Sequence, residues 1–161
     1  DLLNEYLTAM NDIIFEHGGT IDKFIGDAIM VIFGAPKEMD IGLQAERAAA
    51  CAKAMQHAME SMAKGWESRG ASHLAMRIGI HQGPAVVGNF GSDRRSDYTC
   101  IGPTVNLAAR IESSAEPGQV FISETIHGHL DQSIAEPAGE FAMKGVSEEQ
   151  LLYRLKMGGL S

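Results

Sequence analysis

Two short segments gather residue types that can handle phosphate. In the first, Lys23-Phe24-Ile25-Gly26-Asp27, a Gly-Asp pair separates two β-branched and aromatic runs, Thr20 to Ile25 and Ala28 to Phe33. That pattern predicts a hairpin. A carboxylate projecting from a hairpin end can hold a hard divalent cation, and it can equally be an ordinary turn aspartate. Strand alternation puts Ile21, Lys23 and Ile25 on one face, so the ammonium is expected to point where apolar side chains point. Lys23 is then either a solvated strand lysine or a buried cation that needs an acceptor, which a ligand could supply. In the second segment, Thr104-Val105-Asn106-Leu107-Ala108-Ala109-Arg110, Asn106 and Arg110 stand one helical turn apart and share a face, while Val105, Ala108 and Ile111 turn to another. The Asn106 and Arg110 face is either solvated surface or a pair of donors aimed at one anionic group, as phosphoryl transfer requires.

The elements that must position these residues follow from periodicity. Leu3, Tyr6, Leu7, Met10, Ile13 and Ile14 recur at helical spacing up to the stop at Gly18-Gly19. This helical pattern is already running at residue 1 with no capping residue or lead-in before it, which reads as a cut end. Gln44 to Trp66 predicts a long helix with Ala48, Cys51, Met55, Met59, Met62 and Trp66 on one stripe, whose methionines read as core filler rather than as a ligand set. Leu74 to His81 and Ala85 to Phe90 read as strands, Gly91 to Ser96 as a loop or hairpin tip with Arg94-Arg95 solvated, and Tyr98 to Ile101 as a returning strand. A helix from Thr104 ends before Pro117-Gly118. Gln119 to Ile122 reads as a strand with a short helix after Ser123, and Phe141 to Met143 and Leu151 to Leu155 as late strands around Lys144-Gly145. Helices and hairpins mix irregularly, which predicts an α+β class.

The 161 residues suit one domain with a core of ordinary size; 45% are hydrophobic and 21% charged. A formal net charge of −8 argues against a nucleic acid polymer as partner. No apolar run is long enough to span a bilayer, so this domain is expected to make no membrane contact and to lie in, or face, the cytoplasm. Cys51 and Cys100 match no metal spacing and read as buried thiols in a reducing compartment. His127 and His129, in a short polar segment, read as surface residues. No Walker-type loop, Ser-His-Asp order or cysteine cluster occurs.

Together the segments resemble the class III nucleotidyl cyclase family. Gly19 to Gly34 resembles its second metal motif, Arg77 to Gly88 its intervening hairpin, Tyr98 to Arg110 its transition-state helix, and Phe141 to Gly145 its late phosphate lysine motif. The motifs stand in family order over essentially the whole chain, 1–161. The resemblance implies an adenylate cyclase making cyclic AMP and pyrophosphate from ATP. Asp27 would be the second of two aspartates that hold two divalent metal ions, magnesium or manganese, or calcium in crystals. Lys23 and Thr99 would select adenine, Asn106 would orient the ribose, Arg110 would stabilise the pentavalent phosphate, and Lys144 would hold the polyphosphate. Thr99 resembles a subgroup of which some members respond to bicarbonate as an activator. Pro103 departs from the polar residue many members carry and should stiffen the entry of the helix.

The fold so implied is a ferredoxin-like βαββαβ core with extra strands, here lacking its first strand and with it the first metal aspartate. The chain is therefore expected to turn ATP over poorly as it stands. The family works as a head-to-tail homodimer with sites at the interface, metal aspartates coming from one chain and Lys, Thr, Asn and Arg from the other. Two rival readings stand beside this one. A diguanylate cyclase shares the core topology, but Ile25-Gly26-Asp27-Ala28-Ile29 stands where its own turn motif would be. A non-catalytic regulatory or dimerisation domain usually loses Asn, Arg or the metal carboxylate, and this chain keeps Asp27, Asn106 and Arg110.

Overall fold

The computed structural model describes residues 2–25, 27–71, 74–92 and 95–158; Gly26 of the expected turn and Arg94 of the expected loop tip lie outside them. The first apolar stripe forms helix α1 (Leu2–Glu16), which buries Met10 and Ile14. Gly18, at a positive φ of 81°, ends it. These two side chains meet Cys51 and Met55 of helix α2 (Ile41–Glu67). On its other side α2 is lined with Ala45, Ala49 and Ala52, which pack against Val120, Ile122 and Leu155. A helix that is apolar over so much of its circumference is held by burial rather than by its caps. Met55 and Met59 are buried, as their spacing predicts. The helix starts almost a turn before the expected Gln44, with Asp40 at the N-cap position.

Three sheets follow. Strands β1 (Thr20–Ile25) and β2 (Ala28–Ile32) form an antiparallel pair. Strands β4 (Val86–Ser92) and β5 (Arg95–Ile101) form a second. The third has the order β3-β6-β8-β7, from β3 (Ile78–Ile80), β6 (Val120–Ser123), β8 (Gln150–Leu155) and β7 (Ala135–Phe141). Strand β3 runs parallel to β6, and the other neighbours are antiparallel. The α+β class is as expected, and so are helix α3 (Pro103–Ser114) and the short helix α4 (Glu124–His127).

Several boundaries differ for identifiable reasons. Strand β3 is only Ile78–Ile80 rather than Leu74 to His81, because it pairs on one side only and β6 offers it Val120 to Ile122. The β4–β5 hairpin stays paired as far as Ser92 with Arg95, so the expected loop is mostly strand. Strand β7 begins six residues earlier than its apolar run suggests. It includes Pro137 and Gly139, because β7 is an edge strand whose register slips between these two residues, and an edge tolerates proline. His127 is buried, against expectation, because its ring stacks on Tyr153 with centroids 3.6 Å apart. His129 is exposed as expected.

Helix α3 is fixed from two directions. Pro103 occupies its first turn, where a missing N–H costs nothing, and Gly102 at φ 136° supplies the approach. Ile111 is fully buried against Phe121 and Leu152. Gly79 of β3 sits directly beneath the helix. A Cβ there would lie 2.7 Å from Glu112 Cα and 2.8 Å from Ala108 O, so only glycine lets α3 lie this close to the strand.

Candidate active site

Lys23 and Thr99 come together. Both line a pocket of about 500 Å³ with Asp22, Phe90 and Tyr98. The route to this meeting is a β-bulge. Ile21 faces Val31 while Lys23 faces Met30, so Asp22 is the extra residue in β1 and the alternation is broken there. Past the bulge Lys23, Phe24 and Ile25 are all exposed. The sequence expectation of a lysine sharing an apolar strand face is thus corrected: the ammonium stands in the open, without a hydrogen bond or ion pair among the described residues, facing a pocket.

Thr99 is buried, and its hydroxyl donates to Asp22 Oδ2 at 2.8 Å. The backbone N–H of Cys100 donates to the same oxygen at 3.2 Å. The Cys100 thiol is pushed up mainly by burial, then by the Asp22 carboxylate, with the Lys23 ammonium pulling it back. Its neighbours thus carry both charges. Asp22 was not among the sequence candidates. Its only signal is a carboxylate placed directly beside Lys23 in an otherwise apolar run.

Asp27 is exposed and faces elsewhere. With Tyr6 of α1 it lines a larger cavity, about 850 Å³, between β2, β3 and the apolar face of α2. The Tyr6 phenol is held above its ordinary value by burial first and by the Asp27 charge second. The cavity walls are mostly apolar, including Ile29, Val31, Met55, Met76 and Ile78. Neither β2 nor β3 has a strand partner on this side among the described residues. The carboxylate chemistry of Asp27 suits a hard cation, and among the described residues no group of three His, Cys, Asp or Glu converges to complete a metal site.

Asn106 and Arg110 are exposed on the outward face of α3, while Ile111 faces the core, as the helical spacing predicts. Neither side chain has a hydrogen bond or ion pair among the described residues. They line neither cavity, although Val105 and Ala108 of the same helix line the larger one. Lys144 is exposed in the turn after β7, beside the buried Met143. The structure therefore brings Lys23 and Thr99 together, keeps Asp27 apart, and leaves Asn106, Arg110 and Lys144 pointing outward. Of the cysteines, Cys51 is a neutral thiol, pushed up to about 12 by burial, and offers no nucleophile.

The profile of the family described as the adenylate and guanylate cyclase catalytic domain matches residues 1–157. The chain belongs to this family. Curated relatives of the cyclase domain include adenylate cyclase 1 of Rhizobium meliloti, 36% identical over 111 residues, covering 69% of this chain and 16% of that protein. Adenylate cyclase of Anabaena cylindrica is 42% identical over 116 residues, covering 68% and 21%. The chain thus spans about a fifth of the length of these relatives. Among solved structures, the adenylyl cyclase CyaB from P. aeruginosa matches with a TM-score of 0.92 and 40% identity, covering 97% of this chain and 81% of that one. The guanylyl cyclase Cya2 matches with 0.87 and the same 40% identity, covering 96% and 78%. Equal identity to one cyclase of each kind leaves base preference to the residues themselves. Among the described residues no helix is long and apolar enough to cross a membrane.

Proposed function

We propose that this cyclase domain makes 3′,5′-cyclic AMP and pyrophosphate from ATP, at sites shared between two copies of the chain in the cytoplasm. The observation that carries the reading is the pocket formed by Lys23 and Thr99. An ammonium donates to an unprotonated ring nitrogen of adenine, where guanine carries its own hydrogen, and the Thr99 oxygen accepts from the adenine amino group. The ribose 3′-oxygen attacks the α-phosphorus in line, and pyrophosphate leaves. Asn106 holds the ribose, Arg110 places charge where it builds at phosphorus, and Lys144 holds the polyphosphate.

Asp27 would contribute to two divalent metal ions, whose chemistry is to make the 3′-hydroxyl more acidic and to neutralise the phosphates. One carboxylate does not suffice for this. The cavity between the open edges of β2 and β3 suits a further strand, hydrogen-bonded on both sides, that brings the second carboxylate. The head-to-tail dimer is supported by the exposed apolar surface around the nucleotide pocket, where Phe24, Ile25, Val86, Phe90, Tyr98 and Ile101 are between 37% and 60% accessible. The separation of Lys23 from Asp27 into two cavities supports the same arrangement. Bicarbonate is a further proposed activator, on the strength of Thr99 alone.

The test is a change of base. In a protein that carries the additional strand, the wild type should form cyclic AMP with a higher kcat/KM for ATP than for GTP. Lys23→Glu with Thr99→Cys should lower that ratio. Wild-type activity only on GTP would reject the assignment. Nucleotide binding without turnover would make the domain a regulatory one.

A further inference from the structure

We propose that Asp22 is a specificity-determining positioning residue, which makes Thr99 a hydrogen-bond acceptor toward the nucleotide base. The inference rests on the ATP reading above and adds to it a residue that the base does not touch.

A hydroxyl has one proton to donate and two lone pairs to accept with. The proton of Thr99 is committed, because Oγ1 donates to Asp22 Oδ2 at 2.8 Å. The direction of that bond is fixed by the carboxylate. The backbone N–H of Cys100 points at the same Oδ2, at 3.2 Å. A carboxylate oxygen only accepts, so the backbone N–H and the Thr99 hydroxyl both donate to Oδ2. What Thr99 presents to the pocket is therefore its lone pairs. The amino group at C6 of adenine meets a lone pair as a donor should. The oxygen at C6 of guanine would put lone pair against lone pair. A threonine free to rotate has no such preference, since it can donate to the one and accept from the other.

The backbone is shaped to make this contact. Asp22 is the inserted residue of the β1 bulge, and without the insertion neighbouring residues 22 and 23 would alternate across the strand. With it, Asp22 and Lys23 line one pocket beside Thr99. The bulge thus delivers a base-contacting cation and the residue that orients its partner, from adjacent positions. The alternative role for Asp22 is a simple brace between β1 and β5, and the experiment separates the two.

The measurement is kcat/KM for ATP and for GTP, in the protein carrying the additional strand, for the wild type, Asp22→Ala and Asp22→Asn. Both donors converge on one oxygen, so an asparagine can present its amide oxygen there and keep both bonds. Asp22→Ala should lower the ATP-to-GTP ratio by about tenfold, the scale of one hydrogen bond gained or lost, while Asp22→Asn keeps the wild-type ratio. A brace predicts instead that Asp22→Ala lowers both constants together and leaves the ratio alone, which overturns the proposal. So does an Asp22→Asn variant that loses as much preference as Asp22→Ala, since the charge rather than the bond would then matter. If Asp22→Ala does not fold, Thr99→Val carries the test: it keeps the shape and removes the oxygen, so the ratio must fall by a similar factor, and an unchanged ratio overturns the proposal. A wild type that lacks a preference for ATP refutes the underlying reading and not the role of Asp22, so the two failures are told apart by the wild type.

Discussion

Gly79→Ala probes the packing that holds α3, and with it Asn106 and Arg110, over the sheet. The added Cβ would stand 2.7 Å from Glu112 Cα and 2.8 Å from Ala108 O, both backbone atoms of the helix. Carbon atoms settle at about 3.5–4.0 Å, so the helix must retreat by roughly 1 Å. Forcing a methyl into packed backbone costs about 1–3 kcal/mol. For a domain of this size each kcal/mol moves Tm by about 2–4 °C, so 2 kcal/mol lowers it by about 4–8 °C. A displacement of roughly 1 Å at reacting groups costs on the order of 10²-fold in rate, so kcat should fall far more than the loss of folded protein explains. Gly65→Ala is the control, since nothing lies within 4 Å of a Cβ there and the residue sits inside α2. It should raise stability by about 0.5–1 kcal/mol and leave kcat alone. The assay is a thermal melt and a cyclase rate on each variant, in the protein carrying the additional strand. A Gly79→Ala protein with unchanged Tm and kcat would refute the claim that this contact positions the helix.

Arg110→Ala should cut kcat by a large factor with a smaller effect on KM, because its contact strengthens as charge builds; a raised KM with kcat intact would make it a ground-state binder. Burial holds the His81 imidazole below its ordinary value, with Nδ1 2.8 Å from Ser123 Oγ. The unfolded chain therefore takes up this proton first as pH falls below about 6.5, so stability present above that pH declines toward the folded-state pKa. His81→Gln should flatten this slope in urea unfolding compared at about pH 7.5 and pH 5.5. If sites are shared, Asp27→Ala and Arg110→Ala proteins are each inactive, and mixing them with subunit exchange should restore about a quarter of wild-type activity, since about half the dimers are mixed and each has one intact site. A site built within one chain predicts no recovery.

Much of this was legible in the sequence because local signals and tertiary demands agree. The stripes of α1 and α2, the burial of Cys51 and the face of α3 follow from 3.6-residue spacing alone, and burial of Ile111 opposite Asn106 and Arg110 is its direct product. Legibility fails where pairing decides. The length of β3 depends on what β6 offers, and the start of β7 on its being an edge. The burial of His127 depends on Tyr153, distant in sequence. The bulge at Asp22 is the most consequential case. Period-2 reading groups Lys23 with Ile21, and one inserted residue breaks that alternation, beyond which both faces of the strand are exposed.

In the reading proposed above, that inserted residue also bears on why the site is shared. Lys23 and Asp27 are separated by at most about 13 Å of extended chain, at roughly 3.3 Å per residue, yet they line different cavities. A nucleotide whose base sits against Lys23 and Thr99 must send its phosphates somewhere, and Asn106 and Arg110 on the outward face of α3 are donors without partners among the described residues. None of these groups supplies a carboxylate for a metal. The carboxylate that would, Asp27, sits in the turn of the hairpin, bordering the larger cavity. Two copies packed through the exposed apolar surface of β1, β4 and β5 would resolve this, with the Asp27 side of one copy meeting the Lys23 and Arg110 side of the other. The same surface would then be buried at the step that completes the site, which would couple dimerisation to catalytic competence by geometry. A substitution such as Phe24→Asp or Ile101→Asp, at apolar positions now exposed, should therefore abolish turnover by preventing association, with folding intact. Sedimentation and a cyclase rate measured on one sample would show both losses together, and a fully active monomer would refute the coupling.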